Sequence, residues 1–243
     1  MRWYGLPRSL FGAVARDLFA GRSRSLIADS RTLIASLPQS PQISGTAELP
    51  AAGGCTLIFN HYERPGLWIG FLGSVLVDAV ARAREDANAL RFVVTDRVPI
   101  RAGTRTFDFP ASRFFLTHAA ALWNMLALSA DPNEVALRAA TLRRALTHVR
   151  NGGVIALAPE GAVRGDEGLK PAMAGTGLFL QWMSRYGPIV PAGVWEEDDG
   201  LHARFGHVFS VQPQPDADAR LTAMRHIAQL LPPRLRGVYA AHA

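Results

Sequence analysis

Cysteine and lysine are almost missing from this chain. It holds one of each, Cys55 and Lys170, in 243 residues. A lone cysteine excludes an intramolecular disulfide and a cysteine-built metal centre. Cys55 lies inside an apolar run and reads as a small core residue. Neither a phosphate-binding P-loop nor the His and Cys spacing of a zinc site occurs, so no metal and no bound cofactor are expected. Long hydrophobic runs are lacking too. A membrane-spanning helix needs ~18 apolar residues, and the longest run here, residues 66–77, stops at Asp78. The first residues, M-R-W-Y-G-L-P-R, show no signal-peptide apolar region. These absences lead us to expect a cytoplasmic protein, peripheral on the inner face of the cell membrane.

The scarcity of lysine leaves the positive charge to arginine. Net charge is +6 and the isoelectric point is about 10.4. Arginine makes planar, bidentate contacts with phosphate and carboxylate. Such a balance suits nucleic acid, anionic lipid headgroups or a phosphate-bearing substrate. The arginines are scattered and no nucleic-acid reading motif is present, so nucleic acid is not an expected partner. The chain is 49% hydrophobic and only 19% charged, which excludes disorder.

Residues 1–40 stand apart. Phe11, Val14 and Leu18 recur at helical spacing from residue 10 to residue 37, with Arg8, Arg16, Arg22 and Arg24 interleaved and Trp3 and Tyr4 ahead of them. Two readings stand, and both can hold: an interfacial helix at an anionic membrane surface, and an ordinary helix laid across the domain. The stretch P-Q-S-P-Q-I-S-G at 38–45 reads as a linker.

From residue 41 to 243 the pattern predicts one α/β domain. Strand-like runs fall at 55–60, 91–96, 153–158 and 189–194. Helical runs fall at 66–84, 113–129, 133–149 and 172–186, and a last helix starts near Asp216. This alternation predicts a mixed, largely parallel sheet flanked by helices. W-E-E-D-D-G-L followed by A-R-F-G-H-V predicts an added antiparallel hairpin. Its acidic run, Glu196 to Asp199, reads as a solvated turn.

Three short blocks sit where strands end: N-H-Y-E-R-P-G after the first, A-P-E-G-A-V-R-G after the third, and P-A-G-V-W-E ending the fourth. In open α/β sheets the ligand crevice lies beyond the carboxyl ends of the strands. His61 alone reads either as a loop residue satisfied by a carbonyl or as a catalytic base. The order and strand context of the blocks resemble the phospholipid and glycerol acyltransferase family, of the lysophospholipid acyltransferase type. That family has Asn-His-x4-Asp, then Pro-Glu-Gly, then an apolar Val-Pro block. This chain offers Asn60-His61, Pro159-Glu160-Gly161 and Val190-Pro191.

The resemblance implies acyl transfer from acyl-CoA or acyl-carrier protein, as co-substrate, to a hydroxyl of a glycerol phosphate or lysophospholipid-type acceptor. His61 would be the general base and Glu160 its companion. Asn60, Glu63, Arg64, Gly161, Arg164, Arg97, Arg101 and Pro191 would shape or hold the substrates. The chain departs from the family pattern in three places, one being that residues 111–129, the nearest match to the family's arginine block, end without that arginine. Gly66 stands where the family has the aspartate that orients the imidazole. Ala162 and Val163 replace a Thr-Arg pair, with Arg164 one place later. Arg97, Arg101 and Arg105 fall in a stretch that Pro99 and Gly103 mark as a loop. Gly66 also motivates the rival expectation, a non-catalytic lipid or acyl-thioester binding protein on the same fold.

Overall fold

The structure is a computed structural model that describes residues 3–84, 90–97, 99–102, 105–108, 112–161 and 168–242. Its centre is β2 (Cys55–Phe59), a C-T-L-I-F run with every residue buried. A strand covered on both faces reads as a continuous apolar segment rather than an alternating one. On one side β2 pairs in parallel with β7 (Val154–Leu157), and on the other with β8 (Ile189–Glu197). Beyond β7 come β3 (Leu90–Thr95) and β6 (Leu126–Leu128), both parallel. β9 (Gly200–Phe205) folds back antiparallel on β8 across the two residues Asp198 and Asp199. β1 (Gln42–Ser44) closes the far edge against β9. The seven strands thus run β1-β9-β8-β2-β7-β3-β6, a mixed and largely parallel sheet as expected.

Helices cover the sheet. α3 (Ile69–Ala83) carries nine buried residues and packs against α2 (Leu26–Ala35). α5 (Val135–Arg150) packs on β6 and β7, and α6 (Thr176–Met183) packs on α7 (Asp216–Leu230). The two-residue period of β7 splits the core. Ile155 joins Leu126, Ala145, Val149, Phe179 and Met183 in one cluster, while its neighbours Val154 and Ala156 join the main core. Arg84, buried at the end of α3, donates to the carbonyls of Pro50, Gly53 and Gly152 and ties down the amino ends of β2 and β7.

Four local expectations are corrected. The N-terminal pattern is not one helix but α1 (Arg8–Phe19) and α2, broken at Gly21, whose φ is +64°. Ser25 then caps α2 by accepting from the Ala28 N–H. Arg24, between the helices, binds both Asp17 and Asp29. The linker at 38–45 contributes β1. The helix expected over 113–129 is α4 (Ser112–Leu122) followed by β6, with the turn made at Asn124, whose φ is +55°. The loop expected around Pro99 is a hairpin of β4 (Pro99–Ala102) and β5 (Arg105–Asp108), paired Arg101 to Thr106. Pro99 is tolerated because it is the first residue of its strand.

Candidate active site

The site lies at the carboxyl ends of β2 and β7. Leaving β2, the chain places Asn60 inside the protein, 4% exposed. Its Nδ2 donates to the Val194 carbonyl at 2.8 Å, and its Oδ1 accepts the Val194 N–H at 2.7 Å. The carboxamide therefore continues the ladder between β2 and β8 by one side chain. This is a clamp, and it fixes the direction in which His61 leaves the strand.

His61 follows, half-buried, with its Nδ1 atom shielded from solvent. Its backbone N–H donates to Glu160 Oε2 at 2.7 Å. Glu160 holds the third place of the tight turn after β7, where the Gly161 N–H returns to the Ala158 carbonyl at 3.0 Å. Proline at the second place of such a turn presets its φ, and glycine suits the fourth. Gly161 has φ +74°, and a Cβ there would meet Met173 Sδ at 2.4 Å. Glu160 Oε1 also accepts the Lys170 N–H at 2.6 Å. One buried carboxylate thus latches three segments: the His61 loop, the turn after β7 and the loop at Lys170.

The environment of Glu160 is opposed to its charge. It is 2% exposed, and burial pushes its pKa up to about 7 against the two backbone N–H donors, which favour the ionised form. The Tyr239 phenol nearby is raised in turn, first by burial and then by the charge of Glu160.

Beyond His61, residues 64–67 form a second turn. The Arg64 N–H donates to the Leu67 carbonyl at 3.1 Å, and the Leu67 N–H to the Arg64 carbonyl at 2.9 Å. Pro65 and Gly66 occupy the centre, and Gly66 has φ +81°. This is the sequence and backbone signature of a type II turn, which requires a left-handed residue in its third place. The position where the resembling family has aspartate is thus one where a side chain would be strained. The Gly66 carbonyl accepts the Tyr4 N–H at 2.8 Å, so the N-terminal segment closes over this turn.

Of the expected substrate-holding cations, the two with described side chains, Arg64 and Arg97, are engaged. Arg64 grips Glu196 of β8 with Nε and Nη2, both at 2.5 Å, and the Tyr4 hydroxyl donates to the same carboxylate at 2.9 Å. Both members of the pair are about nine-tenths buried. The Glu196 carboxylate holds the Arg64 pKa above its ordinary value. Glu196 is accordingly removed from the solvated turn in which the sequence places it. Arg97 joins Arg113, Asp96, Glu134 and the Ser129 hydroxyl in a charge-balanced cluster beyond β3 and β6. The guanidinium of Arg113 first, then the Ser129 hydroxyl, lowers the pKa of Glu134.

Glu63 is half-buried and makes no hydrogen bond or ion pair among the described residues. Pro191 is buried within β8, level with Ile58, one step below the crevice. The Arg101 side chain and all of Arg164 lie outside the described residues. The structure therefore brings Asn60, His61, Glu160 and Gly161 together. It turns Arg64 and Arg97 toward carboxylates. Sequence reasoning missed Val194, Lys170 and Met173, which act through backbone atoms or by covering a glycine. It also missed Glu196, whose partner is 132 residues away.

Among the described residues no helix is long and apolar enough to cross a membrane. No family model matches the chain, and no curated protein does. A solved structure does resemble it. The 1-acyl-sn-glycerophosphate (LPA) acyltransferase PlsC from Thermotoga maritima matches with a TM-score of 0.55 and 11% identity, over 93% of this chain and 83% of that one. At that identity the likeness shows a shared α/β fold.

Proposed function

We propose that the chain is an acyltransferase that moves a fatty acyl group from acyl-CoA or acyl-carrier protein to a hydroxyl of a glycerol phosphate or lysophospholipid-type acceptor. The observation that carries this reading is the 2.7 Å bond between the His61 N–H and Glu160. It joins two blocks 99 residues apart at the carboxyl ends of adjacent parallel strands, where α/β folds hold their ligands. The shared fold with PlsC supports the same class.

In this reading the His61 imidazole takes the proton from the acceptor hydroxyl as its oxygen attacks the thioester carbon. The carbon–oxygen bond forms, the carbon–sulfur bond breaks, and the thiol leaves with the proton. Backbone N–H groups in the turns near Gly66 and Gly161 are the candidate donors to the oxyanion. Glu160 acts as a positioning residue, through the His61 backbone. Membrane contact on the inner face of the cell membrane fits the exposed Trp3, Phe11 and Phe19, 79%, 63% and 77% accessible, beside exposed Arg8 and Arg16.

Purified protein is expected to release free coenzyme A from acyl-CoA only when a lysophospholipid or glycerol phosphate is added, and His61→Ala is expected to abolish the release. Unchanged turnover in that variant overturns the assignment. The left-handed Gly66 favours one second reading, a non-catalytic acyl-thioester binder. Saturable acyl-CoA binding without any turnover would establish it.

A further inference from the structure

We infer a second anion site, built to take a phosphate group, at the end of the sheet opposite His61. An open cavity of about 440 Å³ is lined by Arg91, Arg143, Arg144 and His148, with Ala140, Thr147 and Asn151. Six of these seven come from α5 and the residue after it, at positions 140, 143, 144, 147, 148 and 151. That is the three-and-four spacing of a single helix face. The seventh, Arg91, is the second residue of β3 and pairs with Ile155. Ile155 in turn pairs with Thr56, five residues before His61, which places this level ~16 Å below His61 at the rise of an extended strand.

The arginines here differ from the carboxylate-bound set of the fold. Arg24, Arg31, Arg64, Arg82, Arg97 and Arg113 each bind a carboxylate. Arg91, Arg143 and Arg144 make no ion pair with any described residue. The Nε of Arg91 is shielded from solvent and has no hydrogen-bond partner among the described residues. A buried donor left unsatisfied is costly, and a guanidinium cannot shed its charge to escape. The negative end of α5 favours cations in its last turn, which accounts for His148 and Arg150. It does not account for Arg91, which arrives from the sheet. Three permanent cations converging on one cavity raise its potential, and their forked donors match the oxygens of a phosphate.

The ligand is a phosphate monoester or diphosphate group, borne either by a soluble molecule or by a lipid headgroup. The inference is independent of the acyltransferase reading, and its test reads binding alone. Inorganic pyrophosphate is titrated into the full chain at matched ionic strength. Saturable binding is expected, with affinity about tenfold weaker in Arg91→Ala, the scale of one lost charge-assisted contact. Because half-buried Arg91 also contributes packing, the exposed pair is tested separately. Arg143→Gln/Arg144→Gln is expected to remove the binding while leaving the thermal midpoint in place. A second arm compares vesicles of phosphatidylcholine with and without phosphatidic acid. A phosphatidic acid preference that the double variant loses assigns a lipid source, and pyrophosphate binding alone assigns a soluble one. No saturable binding in either arm, or binding that the double variant retains, overturns the inference.

Discussion

Two groups of arginines at opposite ends of the parallel strands differ in what they face, although buried Arg84 is a strut at the amino end as well. At the carboxyl end, Arg64 and Arg97 face carboxylates and serve as struts between segments distant in sequence. At the amino end of β3, Arg91, Arg143 and Arg144 line a cavity without a carboxylate among the described residues. Among the described residues, Arg64 and Arg97 near the motif blocks hold shape, whereas Arg91, Arg143 and Arg144 at the other end bind no carboxylate. Among the described residues, the motif blocks and the arginines that bind no carboxylate therefore do not coincide. A basic composition says nothing about which end a phosphate would visit.

The sharpest way to break this contrast is to remove one member of a strut. Arg64→Ala leaves Glu196, about nine-tenths buried, without its cation. Stability is expected to fall by about 3–5 kcal/mol, as for other enclosed ion pairs broken on one side, measured as the urea midpoint. A loss no greater than that of Arg143→Ala would mean the two ends do not differ.

A smaller effect follows from Glu160. Its folded pKa, about 7, lies above the ordinary carboxylate value of 4.5. As pH rises through that window the unfolded chain loses its proton first, so the native state loses stability. Relative to Glu160→Gln, which does not titrate, the native chain is expected to weaken by at most about 3 kcal/mol between pH 4.5 and 8. Parallel stability–pH curves for the two proteins would contradict the buried latch.

The smallest effect concerns Gly66. Gly66→Asp restores the family's carboxylate but places it at φ +81°, and stability is expected to fall by about 1 kcal/mol. If the carboxylate nonetheless reaches the imidazole, coenzyme A release rises, and the pH–rate profile shifts with it. An unchanged profile means that the turn, not the missing charge, governs this loop.

Much of the sheet was legible in advance because its central strands are continuous apolar runs between turn residues. Cys55 to Phe59 and Ile189 to Val194 stand out as such in the sequence. β6 did not stand out, since L-A-L prolongs the helical pattern of α4 and only the left-handed Asn124 separates them. β1 is three residues in a proline-rich stretch, stabilised by its pairing with β9 rather than by its own propensity. At the site, the meeting of His61 with Glu160 could be anticipated from strand ends. The contact made is with the backbone of His61, and no side-chain pattern encodes that. Arg64 looked like a phosphate ligand because arginine close to a candidate catalytic histidine invites that reading. Its true partner was hidden in an acidic run that local composition assigns to solvent.

Tyr4 gives the N-terminal segment a mechanical consequence. Its N–H holds Gly66 and its hydroxyl holds Glu196, while α1 begins four residues later. Tyr4 thus stitches the segment ahead of α1 to the turn that follows the histidine and to the strand beside it, while Leu10 and Asp17 moor α1 itself.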